Sequence, residues 1–99
     1  MRHVIVRYKV KSGQAELNEQ LVKAVYEELH EAKPAGFKYA TFRLEDGVSF
    51  THIAFQQGEE NPLAAIAAFG KFTENIADRC EIPPQVTEMH LVGSYQLAD

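Results

Sequence analysis

The chain has a single cysteine, Cys80, no tryptophan, and no apolar run near the roughly 20 residues that a membrane-spanning helix needs. One cysteine excludes an internal disulfide. A helical membrane span is not expected, no signal peptide is read at the start, and a reducing cytoplasm is the expected compartment. Nowhere do lysines and arginines cluster, and the 10 of them are outnumbered by 14 aspartates and glutamates, for a formal charge of −4. Partners held by neutralised phosphates, whether nucleic acid or an anionic membrane, are therefore not expected, and a small neutral or locally complementary ligand is. Linkers, repeats and low-complexity segments are also missing. His52 and His90 with Glu88 offer the ligand types of a metal site, but no close His-x-His or Glu-x-x-His spacing accompanies them, so neither a metal nor another cofactor is expected.

What is present is a chain of 99 residues, 45% of them apolar, which makes one domain spanning 1–99. A chain this short buries only about 60 to 65% of the surface its unfolded form exposes, so a partner subunit would add useful burial. From Arg2 to Val10, Val4, Val6, Tyr8 and Val10 alternate with His3, Ile5, Arg7 and Lys9, the period of a strand. Leu17, Leu21, Ala24, Val25, Leu29 and Ala32 then recur at helical spacing for about five turns, until "KPAG" stops them. "GFKYATFRL" and "VSFTHIAF" read as strands paired through a three-residue "EDG" loop with Gly47 in the left-handed position.

A single second helix is expected over "NPLAAIAAFGKFTENIADRC". Asn61 would cap it, Pro62 would occupy its first turn, and Leu63, Ile66, Phe69, Thr73, Ile76, Ala77 and Cys80 would form its buried stripe. "IPP" is read as a break and "VTEMHLVGSYQL" as the last strand. The order β-α-β-β-α-β is the ferredoxin-like pattern of the α+β class, a four-stranded antiparallel sheet with two helices on one face. Ile5, Phe42, Phe50, Ala54 and Val92 are expected on the other face, which is too apolar to be left in water.

Over nearly its whole length the chain resembles the dimeric α+β barrel superfamily, and within it the antibiotic biosynthesis monooxygenase-like proteins. "VRYKVKSGQ" is similar to the group's first strand and turn, "PAGFKYATFRLEDGVSFTHIAF" to its central hairpin, and "AAFGKFTENIADRC" to its second helix. "FTHIAF" also resembles the histidine-bearing strand of stress-responsive dimeric barrels. The resemblance implies a homodimer in which each sheet covers the other, with a ligand between the sheet and the helices of one protomer. It implies no cofactor. The oxygenases of the group and their haem-degrading relatives typically use a tryptophan with an asparagine and a histidine or tyrosine, and that set does not carry over to a chain without tryptophan.

With Leu44 and Val48 closing the hairpin, His52 shares a face with Phe42, Phe50 and Ala54, and Arg7, His52 and His90 converge on one side of the sheet. As an enzyme the protein would act on a small phenolic or quinol compound, with His52 accepting a proton and Arg7 or His90 stabilising the developing anion. The alternative is a pair of partly buried histidines hydrogen-bonded within a structural, stress-related or merely ligand-binding dimer. Tyr39 and Tyr95 are candidates to stack on or hydrogen-bond a ring, and Phe72, off the centre of its helix stripe, to edge a pocket. Each has the competing reading of an ordinary packed or exposed aromatic. Cys80 is expected to pack inertly, His30 to be solvated, and "QQGEEN", residues 56 to 61, to be either a lid or a plain connection.

Overall fold

The computed structural model describes residues 2–96. Strand β1 (Arg2–Val10) leads to helix α1 (Ala15–Ala32), the hairpin β2 (Phe37–Arg43) and β3 (Ser49–Gln56), a 3-10 turn (Pro62–Ala65), two short helices α2 (Ala67–Thr73) and α3 (Ile76–Arg79), and β4 (Cys80–Met89). The sheet order is β2-β3-β1-β4, antiparallel throughout, with the helices on one face, as expected of the ferredoxin-like pattern. No helix among the described residues is long and apolar enough to cross a membrane.

Val4, Tyr8 and Val10 of β1 face the helices and are buried with Val22 and Val25 of α1. The inward stripe of α1 runs through Ala15, Asn18, Val22 and Val25, so Leu17 is left half exposed.

The hairpin is one residue longer than its three-residue reading. Leu44 N–H donates to Ser49 O, and the Asp46 carboxylate accepts from the amides of Val48 and Ser49 and from the Ser49 hydroxyl, which holds a wider loop around Gly47 at φ +79°. The slip of one residue pairs Thr41 with His52 and Arg43 with Phe50, and moves a whole strand's side chains to the opposite face. Phe50, 2% exposed, and Ala54 therefore lie under the helices, while Phe42, 52% exposed, lies outside with Ile5 and Ile53. Val92 falls past the end of β4 altogether.

The expected single second helix is broken twice. Ile66 and Glu74 are extended and Asn75 takes φ +58°. Both breaks are held by side chains: both Glu28 carboxylate oxygens accept from the Ala67 and Ala68 amides that open α2, and Arg79 donates to the carbonyls of Phe72 and Glu74 that close it. The break rotates the stripe, burying Phe72 and exposing Thr73 and Ala77.

"IPP" does not break the chain. Ile82, Pro83 and Pro84 lie inside β4, an edge strand paired only with β1, where proline is tolerated, and the ladder shifts register between Arg7 and Lys9. The strand thus begins at Cys80 and ends at Met89, so residues 90–96 are not strand, and Leu97 lies outside the described residues.

Candidate functional site

Between the sheet and the short helices lies a cavity of about 340 Å³, within the range of small-molecule sites. Val4, Val6 and Tyr8 of β1, His52 and Ala54 of β3, and Tyr39 of β2 form its floor. Phe69, Phe72 and Ile76 form most of its roof. It reaches the β4 edge, where Pro84 and Val86 line it, Val86 is 64% exposed, and Arg2, also on its wall, pairs with Glu88 at 2.9 Å.

The polar groups of the floor form one chain of hydrogen bonds. Arg79 Nη2 donates to Asn18 Oδ1 at 3.4 Å, which turns Asn18 Nδ2 toward Tyr8, to whose hydroxyl it donates at 2.8 Å. Tyr8 Oη in turn lies 2.8 Å from His52 Nε2. On the other ring edge, His52 Nδ1 meets Tyr39 Oη at 2.6 Å and Thr41 Oγ1 at 3.0 Å, and Thr41 meets Tyr26 Oη at 2.7 Å. Rings line the same path: Phe72 and Tyr8 lie at 5.4 Å from His52, and Tyr26 stacks on Tyr39 at 5.3 Å.

Burial sets the electrostatics. It pushes the His52 pKa down to about 4, so the imidazole is neutral at physiological pH. The phenols of Tyr8 and Tyr39 are pushed well above the ordinary tyrosine value by burial, and Tyr26 is raised in the same way. The imidazole and phenols of the site are therefore neutral donors and acceptors, tied through Asn18 to one cation, Arg79. Burial likewise raises the Cys80 thiol, which packs in the core.

Of the residues singled out from sequence, His52, Tyr39 and Phe72 come together on the cavity wall. Arg7 does not join them: it pairs with Thr51 and Gln85 on the outer face, because β1 presents Val6 and Tyr8 inward on either side of it. His90 lies beyond β4 and is exposed, and Tyr95 is 85% exposed. The convergence of Arg7, His52 and His90 is thus replaced by a cluster of His52 with tyrosines. His30 is exposed, and Gln56, at the start of "QQGEEN", is buried at the end of β3. Among the described residues no three His, Cys, Asp or Glu side chains gather where a metal ion could sit.

Tyr8, Asn18, Thr41 and Arg79 were not expected at the site. Asn18 carries a readable signal: it stands at inward spacing with Ala15, Val22 and Val25, and an amide on such a stripe requires buried partners.

Compared with solved structures, the chain is similar over most of its length to an antibiotic biosynthesis monooxygenase, with TM-score 0.71, 17% identity, and 94% of this chain and 100% of that one covered. The fold is that of the antibiotic biosynthesis monooxygenase-like proteins. PA3566 from Pseudomonas aeruginosa shares it at TM-score 0.75 and 14% identity, covering 93% of this chain and 94% of that one. So does a variant of SnoaB, a cofactor-independent oxygenase from Streptomyces nogalater, at TM-score 0.68 and 15% identity over 96% of each chain. Neither a family model nor a curated protein sequence matches the chain.

Proposed function

We propose that the cavity binds a small, flat, oxygen-bearing aromatic of the phenol or quinol class, and that the chain acts on it as a cofactor-independent monooxygenase-like enzyme. The observation that carries this reading is the apolar cavity of about 340 Å³ with Tyr39 and the neutral His52 on its floor and Phe72 on its roof. Aromatic walls suit a ring, and a few convergent polar groups suit one oxygen on it. The shared fold with proteins described as a monooxygenase and a cofactor-independent oxygenase adds support. An electron-rich ring would supply the electrons and protons, and dioxygen would give one oxygen atom to the ring while the other leaves as water.

Because burial keeps His52 neutral, its part is to fix the substrate oxygen through Tyr39, and the substrate's own acidity decides how much of the reactive anion forms. Among the described residues, Arg2 is the lysine or arginine that lines the cavity.

The outer face of the sheet, with Ile5, Ile53 and Phe42, is the surface through which two copies would pair as a homodimer.

A second reading, a dimer that binds a ligand without turning it over, is favoured by the same low His52 pKa, since a group that resists protonation is a poor general base at neutral pH. A panel of quinols and catechols tests both. Oxygen uptake with tight binding supports the enzyme, binding without uptake supports the second reading, and no binding of any member removes the cavity as the site.

A further inference from the structure

We infer that the chain Arg79–Asn18–Tyr8 fixes His52 as its Nδ1–H tautomer, and that this leaves the Tyr39 hydroxyl as the donor facing the cavity, so that the site selects ligands carrying an acceptor oxygen. The inference rests on the cavity being the ligand site, and adds to that reading the polarity of the contact and the residues that set it.

The assignment follows from counting hydrogens. Arg79 has only donors, so the Asn18 atom that meets it is the carbonyl oxygen, and the atom that meets Tyr8 is the amide nitrogen. The Tyr8 oxygen accepts from Asn18. Its own hydrogen has one acceptor among the described residues, His52 Nε2 at 2.8 Å, and Tyr8 is only 4% exposed. For Tyr8 to donate, Nε2 must be unprotonated. A neutral imidazole then carries its hydrogen on Nδ1.

Nδ1–H donates toward Tyr39 and Thr41, so neither hydroxyl can send its own hydrogen back to the ring. Either oxygen can donate the Tyr26–Thr41 bond; assigning it to Tyr26 frees the Thr41 hydrogen for Tyr39. One hydroxyl hydrogen is left over, that of Tyr39. Of these three residues only Tyr39 lines the cavity. An aromatic carbonyl or a phenolate oxygen on the ligand takes that hydrogen. A purely apolar occupant would leave a buried donor unpaired, at a cost comparable to a lost hydrogen bond.

Reversing the polarity at one atom tests the chain. In Asn18→Asp the new carboxylate cannot donate to Tyr8 and accepts from it instead. His52 must then donate from Nε2, and Nδ1 becomes an acceptor that draws the Tyr39 hydrogen away from the cavity. Long-range proton–nitrogen NMR of the imidazole is expected to show Nδ1–H in the wild type and Nε2–H in Asn18→Asp. Should Asn18→Asp not fold, Tyr8→Phe serves, and a reduced Nδ1–H share is expected there.

The ligand arm uses acetophenone and its near-isostere 2-phenylpropene, which differ in a carbonyl oxygen against a methylene group. The ratio of their affinities, acetophenone over 2-phenylpropene, is expected to fall by roughly threefold to tenfold in both Tyr39→Phe and Asn18→Asp, the worth of one net hydrogen bond. Nε2–H in the wild type, or Nδ1–H unchanged in the variants, overturns the tautomer assignment. An unchanged ratio in Tyr39→Phe, with both probes bound, overturns the selection and leaves the cavity standing as a ligand site. If neither probe binds the wild type at millimolar concentration, the ligand site and its selectivity fall together, and the NMR result alone decides the tautomer.

Discussion

Tyr8 and His52 sit diagonally across the β1–β3 ladder, Tyr8 paired with Phe50 and His52 with Val6, and their side chains meet hydroxyl to Nε2 at 2.8 Å beneath the helices. A ring nitrogen held in this way has a neutral-state partner and almost no water, which makes protonation costly. Stability should therefore depend on pH in a defined window. The His52 pKa falls from 6.5 to about 4 on folding, so the unfolded chain binds the proton more readily. The contribution is complete above pH 6.5 and is lost as pH falls toward 4, by on the order of 3 kcal/mol. Urea midpoints measured across that window should decline in the wild type and much less in His52→Gln; equal slopes would remove His52 as the cause.

Arg79 closes α2 by donating to the Phe72 and Glu74 carbonyls and also reaches Asn18. Arg79→Ala strands those acceptors and should cost about 3 kcal/mol in urea unfolding. Arg79→Lys, with a single charged nitrogen in place of the fork, should recover only part of the loss. A loss under about 0.5 kcal/mol for Arg79→Ala would show that water replaces the contacts.

Glu28→Ala removes the carboxylate that caps α2 across the gap from α1, and should cost about 1 kcal/mol. Hydrogen exchange locates the effect: the amides of Ala67 and Ala68 should exchange faster, while those of β1 and β3 keep pace with the global loss.

Two substitutions separate the faces of the sheet. Ile53→Glu places a charge on the outer face and should yield a folded monomer by light scattering, against the dimer expected of the wild type. Phe50→Glu buries the charge beside Tyr8 and should unfold the chain instead. A wild-type monomer at micromolar concentration would rule out the pairing.

The element order was legible because it rests on periodicity and on stop signals such as "KPAG", which act locally. The faces of the hairpin were not, because they turn on whether Asp46 and Gly47 close a loop of three residues or of four, and one residue moves Phe50 under the helices while Phe42 stays on the outer face. The broken second helix was hidden for a related reason: Glu28, which holds the first break, acts from a distant position in sequence, and Arg79 lies inside the expected helix, where nothing marks it as the partner of the Phe72 and Glu74 carbonyls. His52, Tyr39 and Phe72 were singled out by residue type and strand or helix placement. Their partner Tyr8 looked like an ordinary member of an apolar stripe, and Asn18 lay off the stripe expected for α1; the tertiary pairing shows what they touch.

Helix α1 holds both ends of the arrangement at once. Asn18 orders the hydrogen bonds of the cavity floor, and Glu28, ten positions later in the sequence and about 15 Å along the axis, pins the start of the roof. The helix thus works as a spacer bar between two fixtures, and the clearance above His52 is set by its length and tilt. A bulkier residue at Val22 or Val25, neither of which lines the cavity, would lift the bar and widen the gap, so the volume open to a ring can be tuned from positions the ring never meets.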